Sequence, residues 1–229
     1  MDWAKNIFPF ENSTAPTRFV RRFWRTPSSP RPSMISVANP LWGIIVEQKS
    51  SGAKSVFLHG PETVATTVDI PQDAEYFGIE FDLGAFVPSL QMAKLTDNTI
   101  PLPVLSDGTF VLFRETLEIP TFENADVFVN RLARAELLVG DVTVEQALLR
   151  QPVALTDRSI QRRFMAATGM TYGTIRQLDR AERAADLLGR GTSILDVVDK
   201  EGFSDQAHLT RSVKKFLGKT PGESLPTVR

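Results

Sequence analysis

The chain of 229 residues contains no cysteine, which excludes disulfides, thiolate catalysis and zinc–thiolate sites. Hydrophobic residues make up 42% and charged residues 23%, the balance of an ordinary globular protein long enough for one large domain or two modest ones. The net charge of −1 hides a division, because from Thr143 to Arg229 there are 14 Lys and Arg against 10 Asp and Glu, whereas the rest of the chain has 12 against 17.

An acidic front and a basic back suit only the back half to a polyanion. No apolar run reaches the roughly 18 residues of a membrane span, and the opening "MDWAKNIFPFENS" lacks the apolar stretch of a signal peptide. A soluble protein of the cytoplasm, with no membrane partner, is expected. Residues 18–82 read as strands: "RFVRRFWR", "WGIIVEQ", "KSVFLHG", "TVATTVDI" and "EYFGIEFD" are rich in Val, Ile, Phe and Thr. Turn chemistry separates them in "TPSSPRPS", "SSGA" and "IPQDA", and short strands at this spacing suggest a small barrel or sandwich.

After "FDLGAF" the texture changes. "FVLFRETL" and "ADVFVNRLARAELLV" carry helical spacing, and from there the chain reads as helical. Thr156 is the expected cap of "DRSIQRRFMAAT", which Gly169 closes. Residues 172–188 form the longest predicted helix, stopped by "GRG". Ser193 caps "ILDVVDKE", Gly202 ends it, and Ser204 is the expected cap of the helix that follows. Thr220, Pro221 and Glu223 mark a last short helix with a capping box.

Two of these helices share one design. Arg158, Gln161 and Arg162 fall on one face opposite Ile160 and Phe164, while Gln206, Thr210 and Arg211 oppose Leu209, Val213 and Phe216. Arg can donate two bonds to guanine, Gln can pair with adenine, and Thr can meet a base or a thymine methyl. Each helix follows a short helix and a turn, the placement of the reading helix in a helix-turn-helix. The rod between them, about 17 residues at about 1.5 Å each, is roughly 25 Å long, the order needed for two successive major grooves. A solvated polar face explains either cluster singly, but not two matched modules on one rod.

"SIQRRFMAATGMT", followed by "AERAADLLGRGTSILDVVDKEGFSDQAHLTRSVKKFLGKTP", resembles the paired helix-turn-helix domain of AraC-type transcriptional regulators. The resemblance covers about 85 residues of the chain. It implies sequence-specific binding of double-stranded DNA that controls transcription, with the transcription machinery as a further partner. It also implies base-facing positions at Arg158, Ser159, Gln161 and Arg162 in the first reader and Gln206, Ala207, Thr210 and Arg211 in the second, with His208 and Lys214 toward the phosphates. The chain departs from the family at "TVEQALLRQPVALT", which has Pro152 and no glycine, and at Val213, where the family carries Phe. The front half is similar to the cupin-like domains that precede this DNA-binding domain in some members, which implies a small-molecule effector or a homodimer contact. Residues 125–139 are the candidate dimer helix.

The expected fold is therefore α+β. A cupin-like antiparallel β barrel or sandwich over residues 1–138 ends in connecting helices, and an all-α domain over 139–229 carries two helix-turn-helix modules joined by a long helix. Candidate effector residues are Trp42, Phe57, His59, Tyr76 and Phe81, with Trp24 as a further pocket candidate, although strand aromatics also serve simply as core. Glu47, Glu80 and Asp82 read either as a carboxylate site or as solvated strand ends. With His59 alone in this half, no metal set is expected, and no cofactor either. The alternative function is a cupin-like small-molecule-binding protein or enzyme with a degenerate helical domain. No nucleophile with its base supports catalysis. A damage sensor that methylates itself on cysteine is excluded.

Overall fold

The computed structural model describes residues 11–13, 17–26, 32–149 and 151–224. The N-terminal stretch to residue 10 and the turn read at 27–31 lie outside the described residues. In the front half, strands β1 (Glu11–Ser13), β2 (Val20–Thr26), β3 (Ser33–Ser36), β4 (Gly43–Lys49), β5 (Lys54–His59), β6 (Thr66–Asp69), β7 (Ala74–Phe81) and β8 (Ala85–Phe86) come first. Helix α1 (Met92–Leu95), strands β9 (Thr99–Leu102), β10 (Thr109–Leu112) and β11 (Glu115–Glu118), helix α2 (Ala125–Arg134) and strand β12 (Val139–Gly140) follow. The back half is α3 (Val142–Leu148), α4 (Asp157–Thr168), α5 (Tyr172–Gly189), α6 (Ile194–Glu201), α7 (Gln206–Leu217) and α8 (Pro221–Ser224).

A six-stranded antiparallel sheet in the order β1-β2-β7-β4-β5-β9 dominates the front half, with β3–β6, β10–β11 and β8–β12 as separate antiparallel pairs. Strand alternation gives the sheet two faces of opposite character. Phe23, Ile44, Val46, Val56, Leu58, Phe77 and Ile79 enter a core closed by Phe110, Leu112 and Leu117 and by Phe128, Val129 and Leu132 of α2. The residues between them, Arg22, Trp24, Ile45, Glu47, Phe57, His59, Tyr76 and Glu80, line a cavity that the β3–β6 pair also walls. The chain is thus a mixed α+β protein, with an N-terminal antiparallel sheet followed by a helical region.

The expected helical spacing in "FVLFRETL" is overturned: these residues form the β10–β11 hairpin. Phe110 and Leu112 are buried while Thr109 and Val111 are half-buried, which is a period of two rather than 3.6. The two turn residues, Phe113 (φ 51°) and Arg114 (φ 73°), adopt the left-handed conformation of the tightest hairpins without the Asn or Gly that normally signals it. Strands β3 and β9 were also hidden. The latter, "TIPL", pairs at the sheet edge, where a proline lacking its N–H is tolerated.

Helix caps follow the sequence closely. Thr156, Thr171 and Ser193 each accept a hydrogen bond from a backbone N–H in the first turn of α4, α5 and α6. The cap of α7 is Asp205, not Ser204: its carboxylate accepts from the His208 N–H at 2.6 Å. Ser204 supports it, its hydroxyl donating to Asp205 at 3.2 Å and its N–H to His208 Nδ1 at 3.3 Å.

The back half is not a free appendage. Strand β12 pairs with β8, and Asp141 joins three elements: its N–H donates to Gly84, its carboxylate caps α3, and Arg163 of α4 pairs with it at 2.9 Å. Gly169 ends α4 with φ 72°, and its carbonyl accepts from Thr96 Oγ1 at 3.1 Å. A Cβ there would lie 2.6 Å from the Met92 carbonyl oxygen, whereas at Gly202 (φ 67°) nothing lies within 4 Å.

Two predictions follow from these termini. Gly202→Ala should destabilise by about 1 to 2 kcal/mol, the left-handed penalty alone, and Gly169→Ala by about 1 to 3 kcal/mol more, because the methyl group meets backbone. Urea unfolding of both variants checks this, and equal losses would mean that α4 is not seated on α1. At α7, the backbone N–H of His208 holds the Asp205 carboxyl below its ordinary pKa. The cap's contribution should therefore be complete above the usual Asp value of about 3.9 and be lost as pH falls through the lower folded value. Thermal unfolding across that acid range should show a weaker pH dependence for Asp205→Asn, which still caps, and a loss at neutral pH for Asp205→Ala.

Candidate nucleic-acid interface

Each helical module has its own core. In the first, Val144 of α3 packs with Phe164 and Ala167 of α4, Met170 and Ile175, while Leu83 and Phe86 of the front half lean against them. In the second, Leu209, Val213, Phe216 and Leu217 of α7 pack with Val197 of α6, Phe203 and Leu178, Ala181, Ala184 and Leu188 of α5. Val213, Phe216 and Leu217 are all buried, so the smaller residue at Val213 sits in a closed core. Helix α5 runs through both cores with 18 residues, about 27 Å at about 1.5 Å per residue.

Burying these apolar stripes leaves the opposite faces of α4 and α7 to solvent. Arg158, Gln161 and Arg162 are exposed on α4, and Gln206, Ala207, Arg211 and Lys214 are exposed on α7, with Thr210 half-buried beside them. Ser159 belongs to the cap rather than to the open face, since its N–H and its hydroxyl both bond the Thr156 hydroxyl. His208 is likewise occupied, edge-on to Phe203 and bonded to Ser204, so it braces the turn instead of reaching outward. The turns differ: α3 and α4 are separated by residues 149–156, α6 and α7 by residues 202–205. Pro152 and the missing glycine thus go with a longer connection in the first module.

The arginines sort into two groups. Arg163 pairs with Asp141, Arg183 with Asp179 and Glu201, and Arg190 with Asp186, while Arg180 lies over Phe203. Among the described residues, Arg158, Arg162, Arg211 and Lys214 make no ion pair. The structural cations are tied down, and those on the two exposed faces remain available to an anion.

The candidate effector residues do not all meet. Trp42, Phe57, His59 and Tyr76 line the cavity of about 670 Å³ between the large sheet and the β3–β6 pair. Phe81 does not: it is fully buried in the core, stacked on Trp42 at 4.1 Å. Trp24 also lines the cavity and lies over Gly78, where a Cβ would come within 2.1 Å of its ring. Glu47 and Glu80 are cavity residues rather than solvated strand ends, whereas Asp82 turns back to accept from the Leu83 N–H. Glu62 joins them from a loop to which strand periodicity assigns no direction. Among the described residues no three His, Asp or Glu side chains gather as a metal site, and no helix is long and apolar enough to cross a membrane.

Comparison with known proteins bears on the helical region. A family model described as "Helix-turn-helix domain" matches residues 149–225. The HTH-type transcriptional regulator RipA of Corynebacterium diphtheriae is 40% identical over 67 residues, which are 29% of this chain and 20% of that protein. Regulatory protein ada of Salmonella typhimurium is 34% identical over 84 residues, 37% of this chain and 24% of that one. The chain thus matches only about a fifth to a quarter of the length of these relatives. Among solved structures, ToxT from Vibrio cholerae aligns over 93% of this chain and 97% of its own, with 11% identity and a TM-score of 0.40. The family model and the two regulators, together with the capped helices and the α5 rod, identify residues 149–225 as a helix-turn-helix domain.

Proposed function

We propose that this protein is a transcriptional regulator that binds double-stranded DNA sequence-specifically through α4 and α7, and that it is not an enzyme. The observation that carries this reading is the pair of polar faces, Arg158–Gln161–Arg162 and Gln206–Arg211 with half-buried Thr210, on two modules joined by one long helix and free of ion pairs among the described residues. Similarity to domains in proteins named transcriptional regulators supports it. Residues 139–229 are the proposed DNA-binding unit, and residues 1–138 a sensing or dimerisation unit; the apolar stripe of α2 closes that unit's own core, which leaves Val127, Asn130, Arg131 and Arg134 as the α2 face open to a second copy. In this reading the protein works in the cytoplasm, where it meets DNA and the transcription machinery.

The mechanism divides between phosphates and bases. Cations on the helical half, Lys214 among them, neutralise phosphates and set register, while Arg162 and Arg211 donate to base edges in successive major grooves. Thr210 and Ala207 are small enough to let α7 approach the groove and to touch a thymine methyl.

Selection from random duplexes by the full chain at two salt concentrations tests the reading. Enrichment of one motif with a steep salt dependence is expected, and an absence of sequence preference at either salt would overturn it. On the selected site, Arg162→Ala and Arg211→Ala should each cost about 1 to 3 kcal/mol and relax preference at one position. Lys214→Ala should weaken all sequences alike and reduce the salt slope by about 1. Arg190→Ala, whose guanidinium already pairs with Asp186, should change neither.

A further inference from the structure

The cavity between the six-stranded sheet and the β3–β6 pair has a composition that selects a ligand class. Its volume, about 670 Å³, suits an organic molecule of moderate size. Met34, Ile35, Ile45, Val64 and Val68 supply apolar wall, and Trp24, Phe57 and Tyr76 supply aromatic rings.

The charged groups on these walls do not balance. Glu47, Glu62 and Glu80 face the cavity, with Asp69 and Asp97 also in its lining, whereas Arg22 supplies the one permanent positive charge among the described lining residues. Glu80 takes that charge, accepting two bonds from Arg22 at 2.7 and 2.9 Å. Glu47 is buried and receives the Tyr76 hydroxyl at 3.1 Å. Burial and the Glu47 carboxylate push the Tyr76 phenol above its ordinary pKa, so Tyr76 serves as a donor and does not add a charge. Glu62, also buried, accepts the Ser36 hydroxyl at 2.6 Å and lies 3.6 Å from His59 Nε2, whose other ring nitrogen bonds Thr99. Two buried carboxylates are therefore met chiefly by neutral donors, a poor exchange for lost hydration. A cation entering beside them recovers that energy, and aromatic faces add attraction for a positive charge. An anion would meet net repulsion.

We propose that this cavity binds an organic cation, an amine or quaternary ammonium on an apolar body, with the charged group at Glu47 beside Tyr76 and the body along Trp24, Ile45 and Phe57 toward Glu62 at the other end of β4. This deepens the sensing role proposed above by naming the ligand class. It is tested by binding alone, so its failure and the failure of DNA recognition are separate results.

Isothermal titration of the full chain with decyltrimethylammonium, decanol and decanoate, each below its micelle concentration, compares three head groups on one alkyl chain. The expected result is saturable one-to-one binding of the ammonium compound, tighter than the other two by about tenfold or more. Glu47→Gln and Glu62→Gln keep an acceptor for Tyr76 and Ser36 and remove only the charge. Glu47→Gln should weaken the ammonium compound by about tenfold, Glu62→Gln by less, and both should leave decanol unchanged. A variant that merely loosened the fold would weaken both, and two variants guard against one failing to fold. Decanoate or decanol binding as tightly as the ammonium compound, equal losses for all ligands in both variants, or no saturable binding would overturn the proposal.

Discussion

The last carbonyls of a helix must find donors outside it, and α7 finds two of its donors on the β-rich half of the chain. The Ala65 N–H donates to Lys215 and the Ala38 N–H to Phe216, both at 2.8 Å, just before Gly218 turns the chain with φ 72°. Ala38 is fully buried inside the α5–α6–α7 core, and a Cβ on Gly218 would strike Ile35 at 2.7 Å. The second reading helix is therefore fixed in direction by the strand half as well as by its own module. Its exposed face points outward because its other face and its C-terminus are both held.

That anchorage shares residues with the cavity. Ile35 lines the cavity and touches the Gly218 position, and the Ala38 and Ala65 amides lie in the same two segments that supply Val37 and Val64 to the wall. The first module is held separately, through Gly169 on α1 and Asp141 between β12, α3 and α4. The two readers thus rest on different parts of one scaffold, with α5 between them.

Electrostatics divides along the same line. The helical half pairs Arg163, Arg183 and Arg190 with internal acids and, among the described residues, leaves Arg158, Arg162, Arg211 and Lys214 without an ion pair. The strand half does the reverse around its cavity, where Arg22 is already committed to Glu80 and the remaining carboxylates rely on hydroxyl donors.

How much of this was legible depended on whether the deciding contacts were local. Caps, left-handed glycines and the 3.6-residue stripes of α4 and α7 act within a turn or two, so Thr156, Ser193, Gly169, Gly202 and the exposed polar faces of both helices could be taken from the sequence. The cap at α7 shifted by one residue because Ser204 and Asp205 both have capping chemistry, and only the backbone geometry chose between them. The β10–β11 hairpin was missed because short apolar runs fit either period and its turn lacks glycine. Phe81 was offered to the cavity, and Glu47 was left between a carboxylate site and solvent, because composition alone does not say which strand face meets which layer. Sequence by itself determined the helical modules, their polar faces and the absence of thiol chemistry. Tertiary structure alone decided the strand order, the buried carboxylates and the seating of α7 on Ala38 and Ala65, because those contacts join residues far apart in the chain.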